Sequence, residues 1–308
     1  MSEMTLRNNS GIRYALGIDG GGTKTALMLT DADGTVCRTL TVDGCNPMDI
    51  GFARTVKLLR NAIDEICEEI PMSEIAMFAG IAGGGSASAR KELNDFFSIF
   101  EFGAFDNQGD TYNILEAALD GRDGISVIIG TGICVQARSG ENLYRVGGWG
   151  YFVDRGGSGF NLGRDALDAY YSAYDGSGEE TLLTSLIEEQ TQCTPEELVG
   201  KIYAGGKTFV ASFAPLVSEA ARQGDSIAHS ILERNTDCIA RVILAAAKHF
   251  IAGEEPIPVV LCGGLSHDAE IVAGVKEKLA SHPRLSTECL TREPVEGAVM
   301  LAKKLGGL

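Results

Sequence analysis

The chain has 308 residues, 44% of them apolar and 22% charged, with a formal net charge of −16. A chain of this size and balance buries a sizeable core in about two domains, and its acidity disfavours nucleic acid or an anionic membrane as partner. Its longest apolar stretches, such as VILAAAKHF and IPVVLCGG, fall far short of the roughly 20 residues of a membrane span; the start MSEMTLRNNS lacks the regions of a signal peptide, so a cytoplasmic protein is expected.

The first predicted element is an apolar strand that ends in LGID and runs into GGGTKT. A P-loop would need Gly immediately before Lys24, where Thr23 stands, and a dinucleotide fingerprint starting at Gly20 would need Gly in place of Thr25 and a helix after it. The chain continues instead with a run of β-formers around the pair Asp33-Gly34, a hairpin signal. Gly20, Gly21 and Gly22 therefore form a turn between antiparallel strands. Glycine there lets successive backbone N–H groups converge on an anion, so the turn is a candidate phosphate loop. Thr23, Lys24 and Thr25 would add side-chain donors, and Asp19 would hold Mg²⁺ through water.

A helix is predicted over about 51–70, a short strand in IAMFAGIAGG, and a second helix in SARKELNDFF. After FDNQGDTYNILEAAL the opening pattern returns: residues 125–150 read as strand, a turn at Gly130-Thr131-Gly132, a second strand, a hairpin at Ser139-Gly140 and a third strand. Two such halves predict a duplicated α/β domain. Helical spacing then covers 161–175, 179–191, 195–204, 207–223 and 225–252, with Thr194 and Asp225 as N-caps and Pro195 at the first helical position. A buried strand PVVLCGGLS turns at Gly263-Gly264, and PVEGAVMLAKKL closes the chain as a helix. The eight cysteines form no CxxC pair, so zinc and iron–sulfur sites are not indicated and reduced thiols in mostly core positions are expected.

In order along the chain, GIDGGGTKT, GCNPMDIG, GIAGGG, NQGDTYNILEAAL, GTGI, GGWGYFVDRGGSGFNLGRDAL, LCGG and PVEGAVMLA resemble the actin, Hsp70 and sugar-kinase superfamily. Within it they resemble the BadF/BadG/BcrA/BcrD ATPase family, in particular its N-acetylglucosamine kinase branch, from about residue 14 to 304. The resemblance implies an α/β fold of two ribonuclease H-like (actin-type ATPase) domains with a nucleotide cleft between them. The first would cover 1–115, joined by a C-terminal helix at 295–308, and the second 116–294 with helical insertions. It implies ATP and Mg²⁺ as cofactors, a small-molecule sugar as substrate, and a homodimer. The two glycine turns would grip phosphate, and Gly263-Gly264 would touch the adenosine.

By the same resemblance Asp110 is the base that takes the proton of the acceptor hydroxyl; its bland alternative is an ordinary N-cap. Asn46, Ala82 and Gly83 would line the sugar pocket. Trp149, the only tryptophan, is pocket wall or core, and core is the commoner use. The family's Gly-Asp-Glu-Gly run reads here Asp154, Arg155, Gly156 and Gly157, so a cation stands where a sugar-holding carboxylate is expected, and Ile133 replaces a serine hydroxyl after the second turn. An activase of a radical dehydratase and a non-catalytic sugar or nucleotide sensor are the alternatives, the second with Asp154 and Arg155 as a fixed ion pair.

Overall fold

The computed structural model describes residues 11–250 and 255–308. In chain order the elements are β1 (Tyr14–Gly20), β2 (Lys24–Asp31), β3 (Val36–Asp43), α1 (Pro47–Ile50), α2 (Phe52–Ile66), β4 (Ile75–Ile81), α3 (Ala87–Phe97), β5 (Ala104–Gln108) and α4 (Thr111–Leu119). Next come β6 (Gly124–Ile129), β7 (Ile133–Ser139), β8 (Asn142–Gly147), α5 (Gly159–Asp175), α6 (Leu183–Thr191), α7 (Pro195–Ala211), α8 (Ala214–Arg222) and α9 (Ser226–Ala247). The chain closes with β9 (Ile257–Cys262), α10 (Ala269–Leu279), β10 (Leu285–Cys289) and α11 (Pro294–Gly306). It divides into two units, one holding the chain up to Gly121 together with Thr291–Leu308, the other Arg122–Leu290.

The first unit has a sheet of order β3-β2-β1-β4-β5, the second of order β10-β9-β6-β7-β8. In each, three strands run as an antiparallel meander and two more pair in parallel beside the first. Read from the meander outwards the two sheets have the same topology, so the unit is duplicated, the actin-type ATPase fold. In the first sheet Leu16 and Ile18 of β1 pack with Leu59, Ile63 and Phe97, whereas Ala15 packs with Phe78 and with Ala298 and Ala302 of α11. Strand alternation thus feeds both faces, and burial of these side chains is what holds helices on each. In the second unit one cluster runs from Ile125, Val127 and Ile129 to Tyr170, Phe213 and Ile243.

Local signals explain most boundaries. Gly34 takes φ +93° in the β2–β3 turn, closed by the Asp31 carboxylate accepting from the Thr35 N–H at 2.8 Å. Thr194 caps α7 in a full capping box with Glu197, and Asp225 caps α9 through the Ala228 N–H at 2.7 Å. The predicted break between helices near 205 is a kink at Gly206 inside α7, and the real separation from α8 comes at Ser212–Phe213. Two short strands, β5 and β10, carried no alternation long enough to predict them. Of the eight cysteines Cys45, Cys67, Cys238 and Cys262 are buried, Cys37 is exposed and the others half-buried, so the core expectation holds for only half. No helix among the described residues is long and apolar enough to cross a membrane.

Candidate functional site

In the first unit β1 delivers Asp19 to the foot of the hairpin that joins it to β2. The turn is closed by the Gly21 N–H donating to the Lys24 carbonyl at 2.9 Å, while Gly22 and Thr23 keep backbone N–H groups without a partner among the described residues. Two neighbouring loops hold it: Cys45 donates to the Gly21 carbonyl at 3.0 Å, and Ala82 to the Gly20 carbonyl at 2.7 Å. The approach is so close that a Cβ on Gly44 would collide with the Gly22 carbonyl, and one on Gly20 with the Cys45 sulfur. Thr23 and Lys24 are exposed. Thr25 is not available as a phosphate donor: its side chain is fully buried and its hydroxyl donates to the Asp43 carbonyl at 2.9 Å.

The same two loops bring up Asn46, Ala82 and Gly83. Asn46 caps α1, accepting from the Met48 N–H at 3.0 Å and donating to Asp49 at 2.7 Å, and Gly83 packs directly against its amide. Asp110 sits at the head of α4, but not as a regular cap. Its backbone is helical rather than extended, and its carboxylate accepts from the adjacent Thr111 N–H at 3.0 Å rather than from the second or third helical residue. Burial raises its pKa, with backbone hydrogen bonds opposing.

Burial also pushes Asp19 up to about 6, against a hydrogen bond from Asn113 and with the charge of Asp110 adding to the rise. Asn113 was missed by the sequence reading. Fully buried one turn after Asp110, it donates to Asp19 at 2.8 Å, to the Ile18 carbonyl at 3.1 Å and to the Gly80 carbonyl at 3.3 Å, tying the helix of one acid to the strand of the other. An amide in the apolar stripe of TYNILEAAL was the one available sign.

In the second unit β6 and β7 are joined by Gly130-Thr131-Gly132, closed by Gly130 donating to Gly132 at 2.9 Å. The hairpin is seated on α5, whose first residues Gly159 and Phe160 donate to the Gly130 and Thr131 carbonyls at 2.8 and 3.1 Å. The N–H groups of Thr131 and Gly132 have no partner among the described residues, and a Cβ on Gly130 or Gly132 would meet open space. The Ile133 side chain, directly after this turn, is buried and lies 3.3 Å from the Cβ position of Gly157. Gly263 and Gly264 are exposed and form the turn after β9, with Gly263 at φ +87° and its carbonyl accepting from the Ser266 hydroxyl at 2.7 Å.

The loop after β8 corrects two expectations. Trp149 is no core residue: it is 65% exposed, with the Arg145 guanidinium 4.9 Å from its ring centre. Asp154 and Arg155 are not a fixed ion pair, because the Asp154 carboxylate accepts from the Trp149 and Gly150 N–H groups at 3.2 and 3.0 Å. Arg155 is exposed and has no ion pair among the described residues. With Trp149, Val153 and Lys248 it lines a cavity of about 1110 Å³ along α9. Gly156 and Gly157 press on α9, where their Cβ positions fall 2.6 Å from the Cys238 sulfur and 2.7 Å from Ile239. The missing glutamate at 156 is thereby explained: beside Cys238 this backbone leaves no room for a side chain.

The family model described as BadF/BadG/BcrA/BcrD ATPase family matches residues 16–302. The chain belongs to that family. The N-acetylmuramic acid/N-acetylglucosamine kinase of Clostridium acetobutylicum is 25% identical over 95% of this chain and 99% of its own length. The N-acetyl-D-glucosamine kinase of Dictyostelium discoideum is 27% identical over 93% of this chain and 97% of its own. Among solved structures, a candidate N-acetylglucosamine kinase from Chromobacterium violaceum superposes with a TM-score of 0.77 at 25% identity, covering 95% of this chain and 99% of that one.

Proposed function

We propose that this BadF-type chain is an ATP-dependent kinase that phosphorylates a hydroxyl of an N-acetylated amino sugar, with N-acetylglucosamine the first candidate. Two full-length relatives carry sugar-kinase names, and Asp110 is built for the chemistry such a reaction needs. The carrying observation is the carboxyl of Asp110, raised by burial and bonded to the adjacent Thr111 N–H, at the head of a helix it does not properly cap.

Phosphoryl transfer asks the protein for positioned donors and a carboxylate that aims the nucleophile. The free N–H groups of Gly22, Thr23, Thr131 and Gly132 supply donors to phosphate oxygens, with Lys24 adding a mobile charge. Gly263 and Gly264 offer exposed backbone to the adenosine. Asp110 accepts the proton of the acceptor hydroxyl, and Asn46 with the backbone of Ala82 and Gly83 orients the ring. Asp19 fits Mg²⁺ held through water: burial and the charge of Asp110 lift its carboxyl to about 6 against the opposing charge of Lys24, and a single carboxylate leaves the remaining ligands to water and phosphate. The metal would neutralise charge on the phosphates.

Arg155 replaces an acceptor of hydrogen bonds by a pure donor; it has no ion pair among the described residues and lines a roomy cavity together with Trp149. We read it as favouring an acceptor sugar with an anionic substituent; the clostridial relative's name includes one such acid. A cytoplasmic homodimer completes the reading, to be checked by light scattering on the purified protein. Release of ADP over a panel of hexoses and N-acetylated amino sugars tests the function: ADP formation that depends on an N-acetylated sugar is expected, and ADP formation indifferent to every sugar would overturn it.

A further inference from the structure

Beneath the second glycine hairpin lies a buried polar connection that the functional reading does not use. Asn235 of α9 is 2% exposed, and its amide is fully engaged. Its oxygen accepts from the Gly157 N–H at 2.9 Å, and its nitrogen donates to Asp165 of α5 at 3.0 Å and to the Ile231 carbonyl at 3.0 Å. Asp165 is in turn held by Arg164 at 2.7 Å and Arg234 at 3.1 Å. Immediately after Gly157, Ser158 caps α5 through the Asn161 N–H, and the next two residues donate to the Gly130 and Thr131 carbonyls.

We infer that Asn235 and Asp165 are positioning residues for the nucleotide: they fix the Gly156–Ser158 loop, which sets the first turn of α5, which sets the Gly130–Gly132 hairpin. The inference rests on the kinase reading, in which that hairpin holds phosphate. The hairpin has no other anchor of this kind among the described residues. The N–H groups of Gly159 and Phe160 are taken by hairpin carbonyls and those of Asn161 and Leu162 by Ser158, so none of them faces a ligand and α5 acts on phosphate only through the hairpin it carries. A simple link between α5 and α9 would serve anywhere along the two helices. This one stands at the loop that delivers the start of α5, and Gly157, at φ +84°, has no space for a side chain that could take over the role.

The amide and the carboxylate are exchangeable in principle, which gives a direct test. Asn235→Asp keeps an acceptor for Gly157 but sets two carboxylates against each other, whereas adding Asp165→Asn restores a donor–acceptor pair with its direction reversed. For the full-length protein, Asn235→Asp is expected to raise the KM for ATP and the Kd for ADP about tenfold while the KM for the sugar stays within about twofold. The double exchange is expected to recover most of that loss. A merely structural link would lower the melting temperature and the active fraction and leave the KM for ATP in place. An unchanged KM for ATP in Asn235→Asp overturns the inference, as does a double variant that recovers its melting temperature but not its nucleotide affinity. Should Asn235→Asp fail to fold, the comparison passes to the double variant against Asp165→Asn, and equal nucleotide affinities well below the native value overturn it. A native protein that binds no ADP would instead remove the kinase reading, and the inference with it.

Discussion

The two glycine hairpins start from the same topology and end with different chemistry. By register the last pairs before the turns are Gly20 with Thr25 and Ile129 with Ile133, so Ile128 occupies in the second unit the place that Asp19 holds in the first. The first hairpin is clamped between two loops and rooted on a buried acid beside Asp110; the second rides on the start of a helix and is apolar at its root. Duplication therefore supplied the glycine turn twice, while the pair of acids raised by burial, Asp19 and Asp110, stands beside one copy only. A donor turn needs only glycine and geometry. A base needs burial and a neighbour, which are properties of a place and not of a motif.

The sharpest way to break this asymmetry is at its acidic end. Asp110→Asn keeps the size and the bond to Thr111, so folding should survive, whereas kcat should fall by about a hundredfold or more with little change in nucleotide affinity. Steady-state kinetics beside ADP titration calorimetry decides it, and an active variant would reduce Asp110 to a helix start.

Glycine at the two turns should then separate by cause. Gly44→Ala drives a methyl into the Gly22 carbonyl and should cost about 2–3 kcal/mol of stability in urea unfolding. Gly132→Ala meets open space and its φ is not in the left-handed region, so stability should change by less than about 0.5 kcal/mol. Its KM for ATP should nonetheless rise several-fold as the methyl stands between the hairpin and phosphate. Equal stability losses for the two variants would contradict the distinction between a turn packed by the fold and a turn left open.

Asp19 gives a smaller effect with a definite sign. Its pKa lies at about 6 in the folded chain against an ordinary 3.8, so the folded state favours the protonated acid. The stability tied to that proton is complete below about pH 4 and is lost as the pH rises through 6. Asp19→Asn, which cannot ionise and still accepts from Asn113, should be more stable than the native chain by on the order of 1–2 kcal/mol at pH 7.5, with no difference at pH 4. Thermal melts at both pH values check this, and a gap that widens on acidification would reverse the assignment. Smallest of all, Arg155→Met should reduce kcat/KM for an anionic N-acetylated sugar about fivefold and leave the neutral sugar unchanged; equal effects on both would remove Arg155 from acceptor choice.

How much of this was legible obeys the same division. The hairpins, the duplication and the capped helices α7 and α9 were readable because their signals are local: Asp33-Gly34, Thr194-Pro195 and Asp225 act within a few residues of themselves. Strands β5 and β10 were not, since AFDNQ and LSTEC form strands only by pairing with β4 and β9. Thr25 looked like a donor because nothing local distinguishes it from Thr23; strand alternation turns it inward to Asp43. Trp149 looked like core because large aromatics usually are, and its exposure depends on a loop held by Asp154. Asn113, Asn235 and Asp165 connect elements far apart in the chain, and only the folded protein reveals what they join.

The central claim is that phosphate moves from ATP to a sugar hydroxyl with Asp110 as the base. Mass spectrometry of N-acetylglucosamine and its carboxylate-bearing relatives after incubation with Mg²⁺-ATP, run in parallel with the native protein and Asp110→Asn, tests it most directly. The account predicts a sugar carrying one added phosphate in the native reaction, in step with ADP, and about a hundredfold less with the variant. ADP without any phosphorylated sugar, or equal product from both proteins, would contradict it.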